Sequence, residues 1–300
     1  MNPLAPTVIV PYSGNSAFCE VALRAAAAAG FVTVDLNDLA EFSSNEWELF
    51  AGGYSHSSLN SVAFEMLCFK RYFRVKAFAE RARIESFIMI DTDVMLFPAA
   101  LSQAEALFER MKSDRCVALL SVVVRPKEFW HASPHCSFWT FAGLEQFVAY
   151  LLNLSSCPEA MSDLVASNRS LRNYTGFSDM VALGAWMNAN SLVRSILDVP
   201  SAGLWDHNIT MSAQNSRRYV SSFGSKVVLV LGDGRPLAFE WSGWRPKATT
   251  VNNLHLQGKA KLAMRLIDQK KTVAANLLLA VLGLAKWVRQ LFRSAQRAAS

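Results

Sequence analysis

Asp91 and Asp93 stand two residues apart in the run FIMIDTDVMLF of residues 87–97, with four apolar residues on either side of them. A charged carboxylate is almost never buried without a partner, so a buried pair requires something cationic. On an extended chain, side chains at i and i+2 project from one face. Two carboxylates so placed suit one hard divalent cation with oxygen ligands, Mn2+ or Mg2+, carrying a phosphorylated ligand. The same residues can instead open a solvated turn, because Asp is a common turn former. The immediate return of Val94, Met95, Leu96 and Phe97 reads as an apolar run interrupted rather than ended.

A second group lies more than 160 residues downstream, in NNLHLQGKAK of residues 252–261. A neutral imidazole at His255 is a good ligand for Mn2+ and similar metals. Gly258 lets backbone approach a phosphate, and Lys261 offers it a point charge. Without a metal, this stretch is a surface loop with an incidental histidine. Asp179 follows Ser178 at the start of a predicted short helix. There either residue can cap the orphan amides, or the Asp carboxylate can act as a general base. His135, Ser137 and Trp139 fall in a predicted loop. They are candidates for a ligand pocket, since aromatic faces pack on the apolar faces of ligands while Ser and His supply hydrogen bonds. The alternative is a packed loop whose aromatics serve the core.

The elements that must position these residues follow from apolar patterning. Strands are predicted at Val8–Val10, Phe31–Leu36, 87–97 and Cys116–Val124. Helices are predicted at Phe18–Ala29, stopped by Gly30, at Asn60–Arg83 and at Leu101–Lys112. This alternation predicts an α/β fold with a mainly parallel sheet covered by helices. Ligands on such sheets bind beyond the carboxyl ends of the strands, which is where Asp91 and Asp93 fall. The second half is less regular. It reads as a loop over 125–140, a helix over 141–152, a turn-rich stretch over 153–177, a short helix over 178–187, and a hairpin over 227–240 turned by Asp233-Gly234.

Of 300 residues, 52% are hydrophobic and 18% charged, a globular composition rather than a disordered one. The net charge of +6 is unevenly spread. Residues 259–300 hold nine Lys or Arg and one Asp, and the remaining 258 residues are at −2. A nearly neutral body argues against a nucleic-acid partner. The five cysteines form no CxxC pair and fit a reducing compartment. The start of the chain lacks the pattern of a signal peptide. A cytoplasmic location is therefore expected. Over Thr272–Ala299, Lys286, Arg289, Arg293 and Arg297 recur at steps of three and four, opposite Val288, Leu291, Phe292 and Ala295. That pattern predicts a basic amphipathic helix lying on an anionic membrane surface, with peripheral association. The expected organisation is a catalytic domain over 1–262 and this helical tail over 263–300.

Asp91-Thr92-Asp93 after an apolar strand, together with His255-x-x-Gly258-x-x-Lys261, resembles the GT-A nucleotide-sugar glycosyltransferases. The second motif is similar to one in the retaining family that includes glycogenin and the bacterial lipopolysaccharide galactosyltransferases. The resemblance implies a GT-A-like, Rossmann-type fold and transfer of a sugar from a nucleotide-sugar donor, a UDP-sugar favoured, to a glycan or lipid-linked acceptor. It implies Asp91, Asp93 and His255 as ligands of Mn2+ or Mg2+ and Lys261 as a diphosphate contact. Thr92 and Gly258 join the donor-binding set. Tyr12 matches a Tyr that stacks on uracil, and Arg74 an Arg near the donor. Asp179 corresponds to an Asp that binds the transferred sugar in retaining enzymes and acts as base in inverting ones. This chain has Leu262-Ala263 where the family has Pro-Trp, and Val10-Pro11 where it has Asp and Asn. Two other readings of the acids are a haloacid-dehalogenase-type phosphatase with Asp91 as nucleophile, and a non-catalytic, membrane-attached carbohydrate-binding protein.

Overall fold

The structure, a computed structural model, describes residues 6–11, 16–36, 44–123, 131–172, 176–199, 205, 207–208, 219–222 and 225–299. In chain order its elements are β1 (Thr7–Val10), α1 (Ser16–Ala28), β2 (Val32–Asp35), α2 (Asn45–Gly53), α3 (Val62–Ala82), β3 (Ser86–Ile90), β4 (Val94–Leu96), α4 (Ala100–Ser113), β5 (Ala118–Val123) and β6 (His131–Thr140). There follow α5 (Phe141–Ser156), α6 (Pro158–Arg172), α7 (Asp179–Ala189), β7 (Val193–Ser195), β8 (His207–Asn208), β9 (Ser221–Ser222), β10 (Ser225–Lys226), β11 (Val228–Val230), β12 (Pro236–Ser242), β13 (Arg245–Thr250), β14 (Asn253–His255), α8 (Lys261–Asp268) and α9 (Thr272–Ala299). They form two compact units. One takes residues 1–14, 31–91 and 104–200, the other 15–30, 92–103 and 201–300. Neither is bounded at residue 262.

The first unit holds a six-stranded sheet in the order β2-β1-β3-β6-β5-β7. β1 pairs parallel with β2 and β3, and β5 pairs parallel with β7. β6 alone runs the other way, antiparallel to both β3 and β5. The result is a mixed α/β fold with a mainly parallel sheet flanked by helices, the expected class and consistent with a GT-A-like Rossmann-type arrangement. Alternation along β6 sends Trp139 to one face and Phe138 to the other. Trp139 joins a core with Tyr72 of α3, Phe147 of α5 and Trp186 of α7, while Phe138 meets Phe108 of α4.

Several sequence expectations need correction. Residues 87–97 are not one strand. β3 ends at Ile90, a turn holds Thr92 and Asp93, and β4 belongs to a different three-stranded sheet, β4-β14-β8. The same-face argument for Asp91 and Asp93 therefore falls, because the chain between them is not extended. Residues 131–140, expected as loop, are the inner strand β6. Pro134 argued against a central strand, since it cannot donate to a ladder. It is accommodated because the β5–β6 register shifts at that point: Leu119 pairs with Phe138, but Ser121 pairs with Ser133. The expected turn-rich stretch over 153–177 contains α6, with Pro158 as its first residue, where the missing N–H costs nothing. The helix α2 was not foreseen; Ser44 caps it by accepting from the Trp47 amide at 3.2 Å.

His135, Ser137 and Trp139, expected to line a ligand pocket, are all buried. Trp139 is fully enclosed, its ring stacked on Trp186 at 5.8 Å and its Nε1 donating to Ser137 Oγ at 2.7 Å. Its role is packing. Trp139→Ala should cost about 3–5 kcal/mol in urea unfolding, whereas a sugar platform would leave stability near that of the parent.

Candidate functional site

In the second unit the site is set by a strand pair. β14 runs antiparallel to β4, with His255 opposite Val94, Leu254 opposite Met95 and Asn253 opposite Leu96. The amide of Leu256 donates to the Asp93 carbonyl at 2.8 Å, extending the ladder by one step. This register brings His255 Nε2 to 3.2 Å from Asp93 Oδ1. β14 is also paired parallel to β8, so it lies inside its small sheet. Beyond it Gly258 takes a φ of +59°, a left-handed conformation that suits glycine, and the chain enters α8 at Lys261. Lys261 Nζ lies 3.1 Å from the other Asp93 oxygen. The two motifs recognised in the sequence thus meet at Asp93.

Asp93 is only 7% exposed. Burial works to raise its pKa. The hydrogen bond and charge of His255 and the ammonium of Lys261 outweigh that, and the carboxyl is held well below the usual carboxylate range. The separation of Asp93 Oδ1 and His255 Nε2 is close to the roughly 3 Å between adjacent ligands on an octahedral ion with bonds of about 2.1 Å. An oxygen and an imidazole nitrogen so spaced fit two positions around such an ion. Among the described residues no group of three or more His, Cys, Asp or Glu side chains is arranged to hold a metal.

The first unit carries a second buried charge cluster. Arg71 of α3, itself buried, donates from Nη1 to Asp91 Oδ1 at 2.8 Å and approaches Asp179 Oδ2 with Nη2 at 3.6 Å. Its Nε donates to the Cys68 carbonyl at 3.0 Å, which fixes the plane of the guanidinium. Tyr72 donates its hydroxyl to Asp179 Oδ2 at 3.1 Å. Ser178, not Asp179, caps α7 by accepting from the Val181 amide, which leaves the Asp179 carboxylate to Arg71 and Tyr72. Gly176 presses against backbone at Ser57 and Ser58 so closely that a Cβ would come within 2.6 Å of it. Phe177 stacks on Phe69 at 5.2 Å. Together these contacts anchor the start of α7.

The cluster has more acid than base. Glu65 is buried on α3 and accepts through Oε1 from Ser58 Oγ at 2.6 Å and from Asn60 Nδ2 at 2.8 Å; its Oε2 has no hydrogen-bond partner. Burial pushes the Asp179 pKa up, with Glu65 and Asp91 adding repulsion and Arg71 and Tyr72 only partly opposing it. Burial also lifts the Cys68 thiol to about 12.

Arg74, expected near a donor, is occupied otherwise. Its Nη1 donates to the Pro11 carbonyl at 3.2 Å and its Nη2 to the Leu36 carbonyl, so it ties together the ends of β1 and β2. Tyr12 lies outside the described residues. Sequence reasoning passed over Arg71, Tyr72 and Glu65. The signal for Arg71 was a charge whose i−3 and i+4 neighbours, Cys68 and Val75, are apolar members of the buried helix face.

No protein-family model and no curated protein sequence matches this chain. Among solved structures, it is similar to a crystal structure of a glycosyltransferase involved in the glycosylation of the major capsid of PBCV-1. Identity is 11% and the TM-score 0.32, over 50% of this chain and 66% of that one. At that distance the likeness bears on neither activity nor substrate.

The two acids should respond to pH with opposite sign. Asp93 has a depressed pKa, so its pairing contributes fully above the ordinary carboxylate value and is lost as pH falls through the depressed one. Asp93→Asn should therefore be less stable than the parent at neutral pH, with the gap closing below about pH 4. Asp179 has a raised pKa, so the stability it allows is full below the ordinary value and declines as pH rises through the raised one. Asp179→Asn should be at least as stable as the parent at neutral pH, with the difference vanishing towards pH 4. Denaturant unfolding at a series of pH values measures both.

Proposed function

We propose that this chain is a metal-dependent glycosyltransferase that moves a sugar from a nucleotide-sugar donor, a UDP-sugar favoured, to a glycan or lipid-linked acceptor. The observation that carries the reading is the meeting of Asp93, His255 and Lys261. An acid, an imidazole and an ammonium are drawn together by strand pairing from two motifs far apart in the chain, and each has the chemistry that donor binding needs. In this reading Asp93 and His255 are ligands of Mn2+ or Mg2+, and Asp91 is a ligand only as the sequence resemblance implies. Bound there, the ion offsets the charge that builds on the diphosphate as the sugar leaves.

The chain's own residues do the rest. Lys261, at the first position of α8, presents a flexible ammonium to a phosphate oxygen, and Gly258 keeps the backbone before it free of a side chain. Arg71 holds Asp91 and Asp179 in place through two ends of one rigid guanidinium. Asp179 accepts a hydrogen bond from a hydroxyl of the transferred sugar or of the acceptor, and its raised pKa suits a group that handles a proton.

A thermal-shift series tests the assignment, since a ligand that binds only the folded chain raises its apparent stability. With Mn2+ present, one nucleotide-sugar should raise the melting temperature. The shift should vanish with excess chelator and in Asp93→Ala and His255→Ala. Lys261→Ala should weaken donor binding by about 10- to 100-fold, the worth of one charge-assisted hydrogen bond. An undiminished shift or full transfer activity in Asp93→Ala would overturn the reading. So would an aspartyl-phosphate trapped on Asp91, which would assign phosphoryl chemistry instead.

A further inference from the structure

The helix α9 leaves an apolar stripe uncovered. Val273, Leu277 and Val281 are 73%, 63% and 60% exposed, and Leu284 and Val288 are exposed too. These five positions recur at steps of three and four, so they lie along one side of the helix. From the first to the last they cover about 22 Å at the usual helical rise. The opposite side faces its own unit: Ala275 and Leu279 are buried. Asn276 fixes the helix's rotation. Its Nδ2 donates to the Val230 carbonyl at 2.9 Å, and its Oδ1 accepts from the Val230 amide at 2.9 Å. With Asn276 locked to the backbone of β11, the five aliphatic side chains are committed outwards.

Exposed aliphatic residues in such a row mark a surface meant to be covered. The sequence around them identifies the cover. Residues 259–300 carry nine Lys or Arg against one Asp, while the rest of the chain is slightly acidic. A second copy of this chain would bring a second, equally basic tail alongside the first, and like charge opposes that pairing. A nucleic acid would answer the charge and leave the aliphatic stripe in water. Among the described residues no helix is long and apolar enough to cross a membrane, so the helix does not bury itself in one. A helix with an aliphatic stripe on one side and, by its sequence, basic residues on the other has the pattern of one that lies along the surface of an anionic bilayer, with its apolar side in the headgroup boundary.

We infer that α9 is a docking helix for an anionic lipid surface, with Val273, Leu277, Val281, Leu284 and Val288 as the inserted side. The five inserted residues lie outside the candidate site, so the inference can fail or stand without the catalytic reading.

Flotation of the full-length chain with phosphatidylcholine vesicles, with and without phosphatidylglycerol, tests it. The chain should float with the anionic vesicles, and less so as salt rises. Leu277→Glu combined with Val281→Glu should weaken that binding about tenfold or more, since it places two charges on the inserted side. Both sites are exposed, and an unchanged circular dichroism spectrum and melting temperature would show that the variant folds. A second pair, Lys286→Gln with Arg289→Gln, should lose the preference for anionic over neutral vesicles. The inference is overturned if the parent chain stays with the unbound fraction, or if the Leu277/Val281 variant floats as well as the parent. A dimer that this variant dissolves, in a chain that binds no vesicle, would assign the stripe to a second copy instead.

Discussion

Asp93 is a buried carboxylate that stays charged, and the local structure around it is arranged to make that possible. Loss of water opposes the charge, and two hydrogen-bonded partners within 3.2 Å restore it. Each partner makes a separate demand on the fold. His255 has to be brought alongside Asp93 by chain more than 160 residues away in sequence, and the antiparallel register of β14 against β4 does this. Lys261 has to return to the same carboxylate six residues later, which requires the strand to end and a helix to start at once. Gly258 makes that turn in a conformation most residues avoid. α8 is then held against α1 by the Arg24–Asp268 ion pair at 2.9 Å and by Arg265 over the ring of Phe18.

The first unit solves the same problem differently. One guanidinium serves both Asp91 and Asp179, and Glu65 lies buried close enough to raise the pKa of Asp179. Two acids share one arginine, and the third, Glu65, is bonded to Ser58 and Asn60. A buried arginine with a fixed plane can serve two carboxylates because its donors form a rigid fork. It cannot neutralise three. The excess is met by hydrogen bonds from Ser58, Asn60 and Tyr72 and by the upward shift of Asp179. Such an imbalance is a cost to stability.

Much of this was legible in the sequence wherever one physical signal dominated. The strands β1, β2 and β5 and the helices α1, α3, α4 and α9 are long or strongly patterned, and they stand close to their expected places. Asp93, His255 and Lys261 were legible as chemistry because each residue type has few roles in such surroundings. What was hidden depended on packing between distant segments. FIMIDTDVMLF has the composition of one strand, and only the pairing of β4 with β14 breaks it in two. β6 carries Pro134 and several polar residues, and its burial rests on hydrogen bonds that composition does not show: Ser133 and Ser121 for His135, and Ser137 for Trp139. Arg71 and Arg74 lie one turn apart on the same helix, and composition does not say which of them reaches the acids. The fold decides it, since Arg74 is spent on the carbonyls of Pro11 and Leu36.

The distribution of charge bears on how the proposed donor would be chosen. The body of the chain is close to neutral, so no broad positive field draws a diphosphate in; attraction has to come from individual cations. In the free chain one such cation, Lys261, is already paired with Asp93. A bare diphosphate taking Lys261 would leave buried Asp93 with His255 alone, and stripping a buried charge of a partner is expensive. A diphosphate that arrives with a divalent ion carries its own compensation for the acids. Under the proposed reading, the same pairing that keeps Asp93 charged in the empty chain would discriminate against metal-free nucleotide.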